Sequence, residues 1–84
     1  MFAIRWSKKA VKQLLCFPLK ERVRISDAVD GLAAWPECRN VKALKDNSFM
    51  YRLRVGRYRI LFDVETSIRI VSVQEVKKRD ESTY

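Results

Sequence analysis

The chain has 84 residues, with 18 Lys and Arg against 10 Asp and Glu and a formal net charge of +8. That length admits one domain, residues 1–84, with no room for a second core, and 48% hydrophobic residues exclude a disordered chain. Each half of the sequence carries a net +4, so the charge belongs to a folded body rather than a tail and suits a polyanionic partner: nucleic acid, a membrane surface or an acidic protein.

The sequence holds no histidine and two cysteines, Cys16 and Cys38. Cys16 sits in the apolar run LLCF and is expected in the core; Cys38 falls in a loop-like segment. Without metal-ligand spacing they make neither a zinc site nor a disulfide framework, so no metal and no cofactor is expected, and a reducing cytoplasm fits. The N-terminal MFAIRWSKKAVKQLLCF carries lysines where a signal peptide is apolar. No run approaches the roughly 18 apolar residues of a membrane span, and no membrane partner is expected.

In chain order, FAIRW (2–6) alternates Phe2, Ile4 and Trp6 against Ala3 and Arg5, a short strand with one apolar face. Ser7 is placed to cap a helix through SKKAVKQLLCF, whose Val11, Leu14 and Leu15 are expected on its buried side. Pro18 stops it. A second helix follows from about Leu19 to Ala34, with Ile25, Ala28, Val29 and Leu32 at helical spacing and Gly31 as a weak point; Trp35-Pro36 ends it. The connection 36–49 allows a short turn or strand at Val41–Leu44. Three strand-like runs then follow: MYRLRV (50–55), RYRILFDV (57–64) and SIRIVSVQEV (67–76). The expected fold class is α+β: an N-terminal strand, a two-helix hairpin and a three-stranded antiparallel meander, with the helices packed on one face of an antiparallel sheet.

The stretch MYRLRVGRYRI gathers Arg52, Arg54, Arg57 and Arg59 with no acid among them. Gly56-Arg57 reads as a two-residue turn with Gly first, as in type II′. Counting outward pairs Val55 with Tyr58, Arg54 with Arg59, Leu53 with Ile60 and Arg52 with Leu61. Leu53, Val55, Tyr58, Ile60 and Phe62 then share one face, and Arg52, Arg54 and Arg59 share the other, with Arg57 beside them in the turn. Like charges directly opposite cost a sheet up to about 1 kcal/mol per pair. Either that face repels other sheet edges, or it is an anion site, for which the planar, permanently charged guanidinium is well suited. The tail KKRDESTY adds Lys77, Lys78 and Arg79 and ends in Tyr84, which either frays or stacks on a base.

These residues carry a resemblance. VKALKD, YRLRVGRYRILFDVE and IRIVSVQEVKKRDESTY, together with the WSKKAVKQL helix, the proline break and the second helix ending in WP, resemble the RelE branch of the RelE/ParE toxin superfamily across essentially the whole chain. The resemblance implies a toxin of a type II toxin–antitoxin system. It implies a ribosome-dependent endoribonuclease that cuts mRNA in the A site by metal-free attack of the ribose 2′-hydroxyl. It also implies a cognate antitoxin, contacts to the ribosome with its mRNA and 16S rRNA, and operator DNA bound only through the antitoxin. Carried over residue by residue, Arg52 and Arg54 fall where the family has two basic strand residues, typically lysines. Arg59 falls on its phosphate-stabilising arginine, Arg79 on the arginine of its basic tail and Tyr84 on its stacking tyrosine. Lys45, Arg57, Lys77 and Lys78 are the expected RNA-binding residues around this catalytic set.

Charge stabilisation is thus well supplied, and no histidine is present as acid or base. Arginine hardly deprotonates, which leaves Lys45, Lys77, Lys78 and Tyr84 as candidate bases, or else the ribosome orients the substrate. Glu75, Asp80 and Glu81 are expected to pair with neighbouring bases. Three other readings stand beside this one: a ParE-like gyrase inhibitor, a nucleic-acid-binding homologue without catalysis, and a basic face that simply meets an acidic partner.

Overall fold

The computed structural model describes residues 1–45 and 48–78. Strand β1 (Ala3–Trp6) leads into helix α1 (Lys8–Leu15) and helix α2 (Leu19–Asp30), which is followed by a 3-10 turn at Gly31–Ala34. Four strands come next: β2 (Val41–Ala43), β3 (Tyr51–Val55), β4 (Tyr58–Glu65) and β5 (Ile70–Lys78). They form one sheet in the order β1-β5-β4-β3-β2. The α+β class and the helical hairpin on one sheet face agree with the sequence reading. The sheet is mixed rather than antiparallel, because β1 lies parallel to β5 with Ile4 opposite Val71 and Trp6 opposite Val73. A hairpin leaves a two-residue turn in the sequence, whereas the docking of the first strand beside the last leaves no local mark.

Helix α1 begins where the sequence places its cap: Ser7 Oγ accepts from the Ala10 amide at 3.0 Å. Its inward face is narrower than expected. Ala10 is buried and Leu14 packs on the core, while Val11 and Leu15 are exposed, being a helical step round from that line. Cys16, expected in the core, is exposed at the end of α1. Regular α2 stops at Asp30, four residues before Ala34, and tightens into the 3-10 turn at Gly31, glycine being the weakest helix former after proline.

Below the helices, Ile25, Val29 and Leu32 meet Ile60, Phe62, Val71, Val73 and Val76, all essentially fully buried. An aromatic group closes one end: Trp35 lies 4.6 Å from Tyr51 and 5.8 Å from Phe62 between ring centroids. No described helix is long and apolar enough to cross a membrane.

Strand β1 ends opposite Val73, and β5 runs on to Lys78. Helix α1 takes over the exposed edge. Ser7 Oγ donates to the Gln74 carbonyl at 2.9 Å, and the Val76 amide donates to Gln13 Oε1 at 2.7 Å. Two side chains thereby satisfy backbone groups that a neighbouring strand would otherwise pair. Replacing Gln13 with Ala leaves the Val76 amide without its acceptor. Urea denaturation is expected to show a loss of about 1–3 kcal/mol, a large part of the roughly 5–15 kcal/mol typical of such domains.

Candidate nucleic-acid interface

The β3–β4 hairpin turns at Gly56 with φ +56°, and Arg57 follows without a positive φ, as a turn with glycine first requires. Arg54 stands opposite Arg59, and Arg52 opposite Leu61, in the register that counting outward from the turn predicts. Period-two alternation sends Leu53, Val55, Tyr58 and Ile60 into the core and the arginines to the face away from the helices.

The neighbouring strands extend this face into two transverse rows. Lys42 of β2 pairs with Arg52, and Glu75 of β5 pairs with Leu61, giving the row Lys42–Arg52–Leu61–Glu75. Lys77 pairs with Arg59, giving the row Arg54–Arg59–Lys77. Lys42 was missed in the sequence; its alternation with Val41 and Ala43 was the available signal. Arg52, Arg54, Arg57 and Arg59 line one recess of about 160 Å³ together with Gly56 and Tyr58. Arg52 is half-buried, and its Nε is buried with no hydrogen-bond partner among the described residues. Among those residues no carboxylate makes an ion pair with Arg52, Arg54 or Arg59. A buried donor without a partner costs free energy that an acceptor from a ligand restores.

The other predicted positions distribute less evenly. Lys78 pairs with Tyr58 and so alternates to the helix side, exposed at the end of β5. Lys45 follows β2, whose Ala43 pairs with Tyr51, so it leaves the sheet at the end of β3 farthest from the Gly56 turn. Arg79 and Tyr84, with Asp80 and Glu81, lie outside the described residues.

Glu75 is the acid within the rows. Among the described residues it pairs with Lys9 of α1, at 2.9 Å. The hydrogen bond from Lys9 holds its carboxyl below the ordinary 4.5, against the opposing effect of burial and with help from the charge of Lys77. An acid held ionised in this way is a weak proton acceptor, and it tethers α1 to the basic face. Asp63, farther along β4, is engaged by the Met50 amide at 2.8 Å and by Gln74 Nε2 at 3.4 Å. Among the described residues no three Cys, Asp or Glu side chains gather as a metal site. The arrangement offers permanent positive charge in a fixed geometry, which is the chemistry of binding a phosphodiester and stabilising extra charge on it.

Two substitutions test this geometry. Because Glu75 is shifted down in the folded state, its contribution to stability is present above the unfolded value and lost as pH falls through the folded one. Glu75→Gln is therefore expected to unfold at lower urea than the parent at pH 7, with the gap closing at pH values below 4.5. At Gly56, a Cβ would come within 2.8 Å of an Arg24 guanidinium nitrogen in addition to occupying a left-handed conformation. Gly56→Ala is expected to cost at least about 1–2 kcal/mol, read from the same denaturation curves.

Three likenesses to known proteins accompany this geometry. A RelE1 protein of Methanocaldococcus jannaschii is 24% identical over 82 residues, covering 94% of this chain and 91% of that protein. The crystal structure of the archaeal RelE–RelB complex from Pyrococcus horikoshii OT3 superposes with a TM-score of 0.81 at 25% identity, covering 95% of this chain and 97% of that one. The RelB–RelE antitoxin–toxin complex from Methanococcus jannaschii gives a TM-score of 0.72 at 26% identity, covering 89% of each chain. No family model matches the chain.

Proposed function

This chain groups with the RelE branch of the RelE/ParE superfamily by sequence and by fold, and from that premise we propose that it is the toxin of a toxin–antitoxin pair. In this reading it acts in the cytoplasm as a ribosome-dependent endoribonuclease. It cuts mRNA in the ribosomal A site: a ribose 2′-hydroxyl gives up its proton and attacks the adjacent phosphate, and the bond from phosphorus to the next nucleotide's 5′-oxygen breaks. That oxygen takes up a proton, a 2′,3′-cyclic phosphate and a 5′-hydroxyl end remain, and translation stops. The observation that carries the reading is the recess walled by Arg52, Arg54, Arg57 and Arg59, with no carboxylate paired to Arg52, Arg54 or Arg59 among the described residues.

The residues divide the work as follows. Arg54 and Arg59, opposite each other across the hairpin, hold the non-bridging oxygens and stabilise the charge that grows on phosphorus as the 2′-oxygen attacks. Arg52 adds its charge to the wall of the recess, and Lys77 extends the positive row toward the next phosphate. In the proposed site Arg79 adds charge from the tail and Tyr84 stacks on a base. The 2′-hydroxyl proton is the slow part of the chemistry, because no histidine exists and Glu75 is held ionised by Lys9. Orientation of the mRNA by the ribosome lowers that barrier, since a reacting group held in line gains several kcal/mol from position alone. This is why activity is expected on the ribosome and not on free RNA. The partners in this reading are a cognate antitoxin that neutralises the toxin, the ribosome with mRNA and 16S rRNA, and operator DNA reached through the antitoxin.

Primer extension on a reporter mRNA in a purified translation system tests the proposal. New 5′ ends inside codons are expected only when ribosomes are present. Arg59→Ala should reduce their formation by about 10²–10³-fold, the usual cost of losing one charge-stabilising donor. Intact mRNA at every dose of the wild-type protein overturns the nuclease reading and directs attention to gyrase supercoiling.

A further inference from the structure

On the helix side of the same hairpin lies a second and larger cavity, of about 430 Å³. It opens between α2, the 3-10 turn, the segment 37–40 and the end of β3. Strand β2 covers only Tyr51–Leu53 of β3. Beyond it the chain is held off by one bond, from the Arg54 amide to the Asn40 carbonyl at 3.0 Å, with Asn40 in the left-handed conformation at φ 61°. The cleft results from the sheet ending early there.

Its walls combine two kinds of surface. Ala28, backed by the buried Leu32, Leu53 and Val55, gives an apolar side, and Arg24, Asp27, Glu37 and Arg39 give charged groups at the rim. Neither Asp27 nor Glu37 makes an ion pair among the described residues. A cleft of this volume, part apolar with a few convergent polar groups, matches the usual small-ligand site. Its position narrows the ligand. Arg54 and Gly56 line both this cleft and the arginine recess, so whatever fills one adjoins whatever fills the other.

Resting on the reading that the recess holds a phosphodiester of RNA, we infer that the cleft is a nucleoside subsite. It takes the base and ribose of the nucleotide next to the phosphate in the recess. The half-buried Ala28, with the edge of Val55, receives the face of the base, and the guanidinium of Arg24, set over the Gly56 turn, lies against the linking phosphate. Asp27 and Glu37 accept from the edge of the base. Carboxylates accept only, so the subsite favours bases with an exocyclic amino group, such as cytosine, over uracil, which presents a carbonyl at that position. The hairpin thus holds one phosphate on its outer face and one base round its edge.

The two cysteines report on occupancy from within the molecule. Cys38 lines the cleft, and Cys16 is exposed at the end of α1 and serves as the control. Alkylation of both thiols by iodoacetamide is followed by peptide mass spectrometry in the full chain, with 2′-O-methyl tetranucleotides that bind without being cleaved. Oligo-C at about ten times its dissociation constant is expected to slow Cys38 modification about tenfold relative to Cys16, following the factor 1 + [L]/Kd. Oligo-U should bind more weakly and protect less at equal concentration, and inorganic phosphate should not protect. The double variant Asp27→Asn, Glu37→Gln is expected to lose the difference between C and U. Binding is followed in parallel by fluorescence anisotropy. Oligonucleotide binding that depends on Arg59 but leaves Cys38 reacting at its free rate overturns the subsite and leaves the phosphate reading standing. No binding of either oligonucleotide at low salt overturns both.

Discussion

A single extra residue in β5 decides which side chains meet the arginines. Leu61 pairs with Glu75 and Phe62 with Val73, so Gln74 has no partner across the ladder. This is a β-bulge, and it reverses the alternation of everything after it. Val71 and Val73 face the core, and so does Val76, three residues farther on. Glu75 and Lys77 consequently lie on the outer face with Arg52, Arg54 and Arg59. In a regular strand they would point toward the helices and Val76 would be exposed. The bulge is held on both sides: Ser7 Oγ bonds the Gln74 carbonyl, and Gln74 Nε2 reaches Asp63. The cap of α1 thereby also fixes the composition of the basic face.

The arginine face is costly for a small domain. Its like charges are held together because the same strands carry Leu53, Ile60 and Phe62 on their other side. Slipping the hairpin by one residue would relieve the charges only by exposing that core. Hydrophobic burial on one face, at about 25 cal/mol per Å², exceeds the few kcal/mol of repulsion on the other. The repulsion then persists in the native state, where an incoming polyanion can relieve it. Lys9 pairing with Glu75 works in the same direction, since the acid within the rows is neutralised from the helix side and does not compete for the arginines.

Four arginines of the basic face gather around one recess at the hairpin tip. The Gly56 turn allows Arg24 of α2 to pack against it, and the early end of β2 leaves Arg54 reachable from two sides. A smooth basic sheet would attract nucleic acid without fixing its register. A recess and a cleft that share Arg54 lie at a fixed separation, which in the proposed reading sets a phosphate and its neighbouring nucleoside in register.

Much of this was legible in the residue order, because it depends on contacts between near neighbours. The glycine turn, the Arg54–Arg59 pairing, the Ser7 cap, the proline break and the short strand at Val41 all arise from local geometry, and period-two alternation carries the face assignment through β3 and β4. What required the tertiary structure involves residues far apart in the chain. The parallel docking of β1 on β5, the Lys9–Glu75 and Gln13–Val76 bonds and the placing of Lys42 beside Arg52 come from packing that no local spacing encodes. The exposure of Cys16, Val11 and Leu15 has the same origin, since helical periodicity defines an apolar stripe but only the sheet beneath selects which part of it is covered. The spacing Val71, Val73, Val76 carried the one hint of the bulge, and its meaning depended on the partner strand: sequence sets how a strand alternates, and the ladder it joins decides where that alternation breaks.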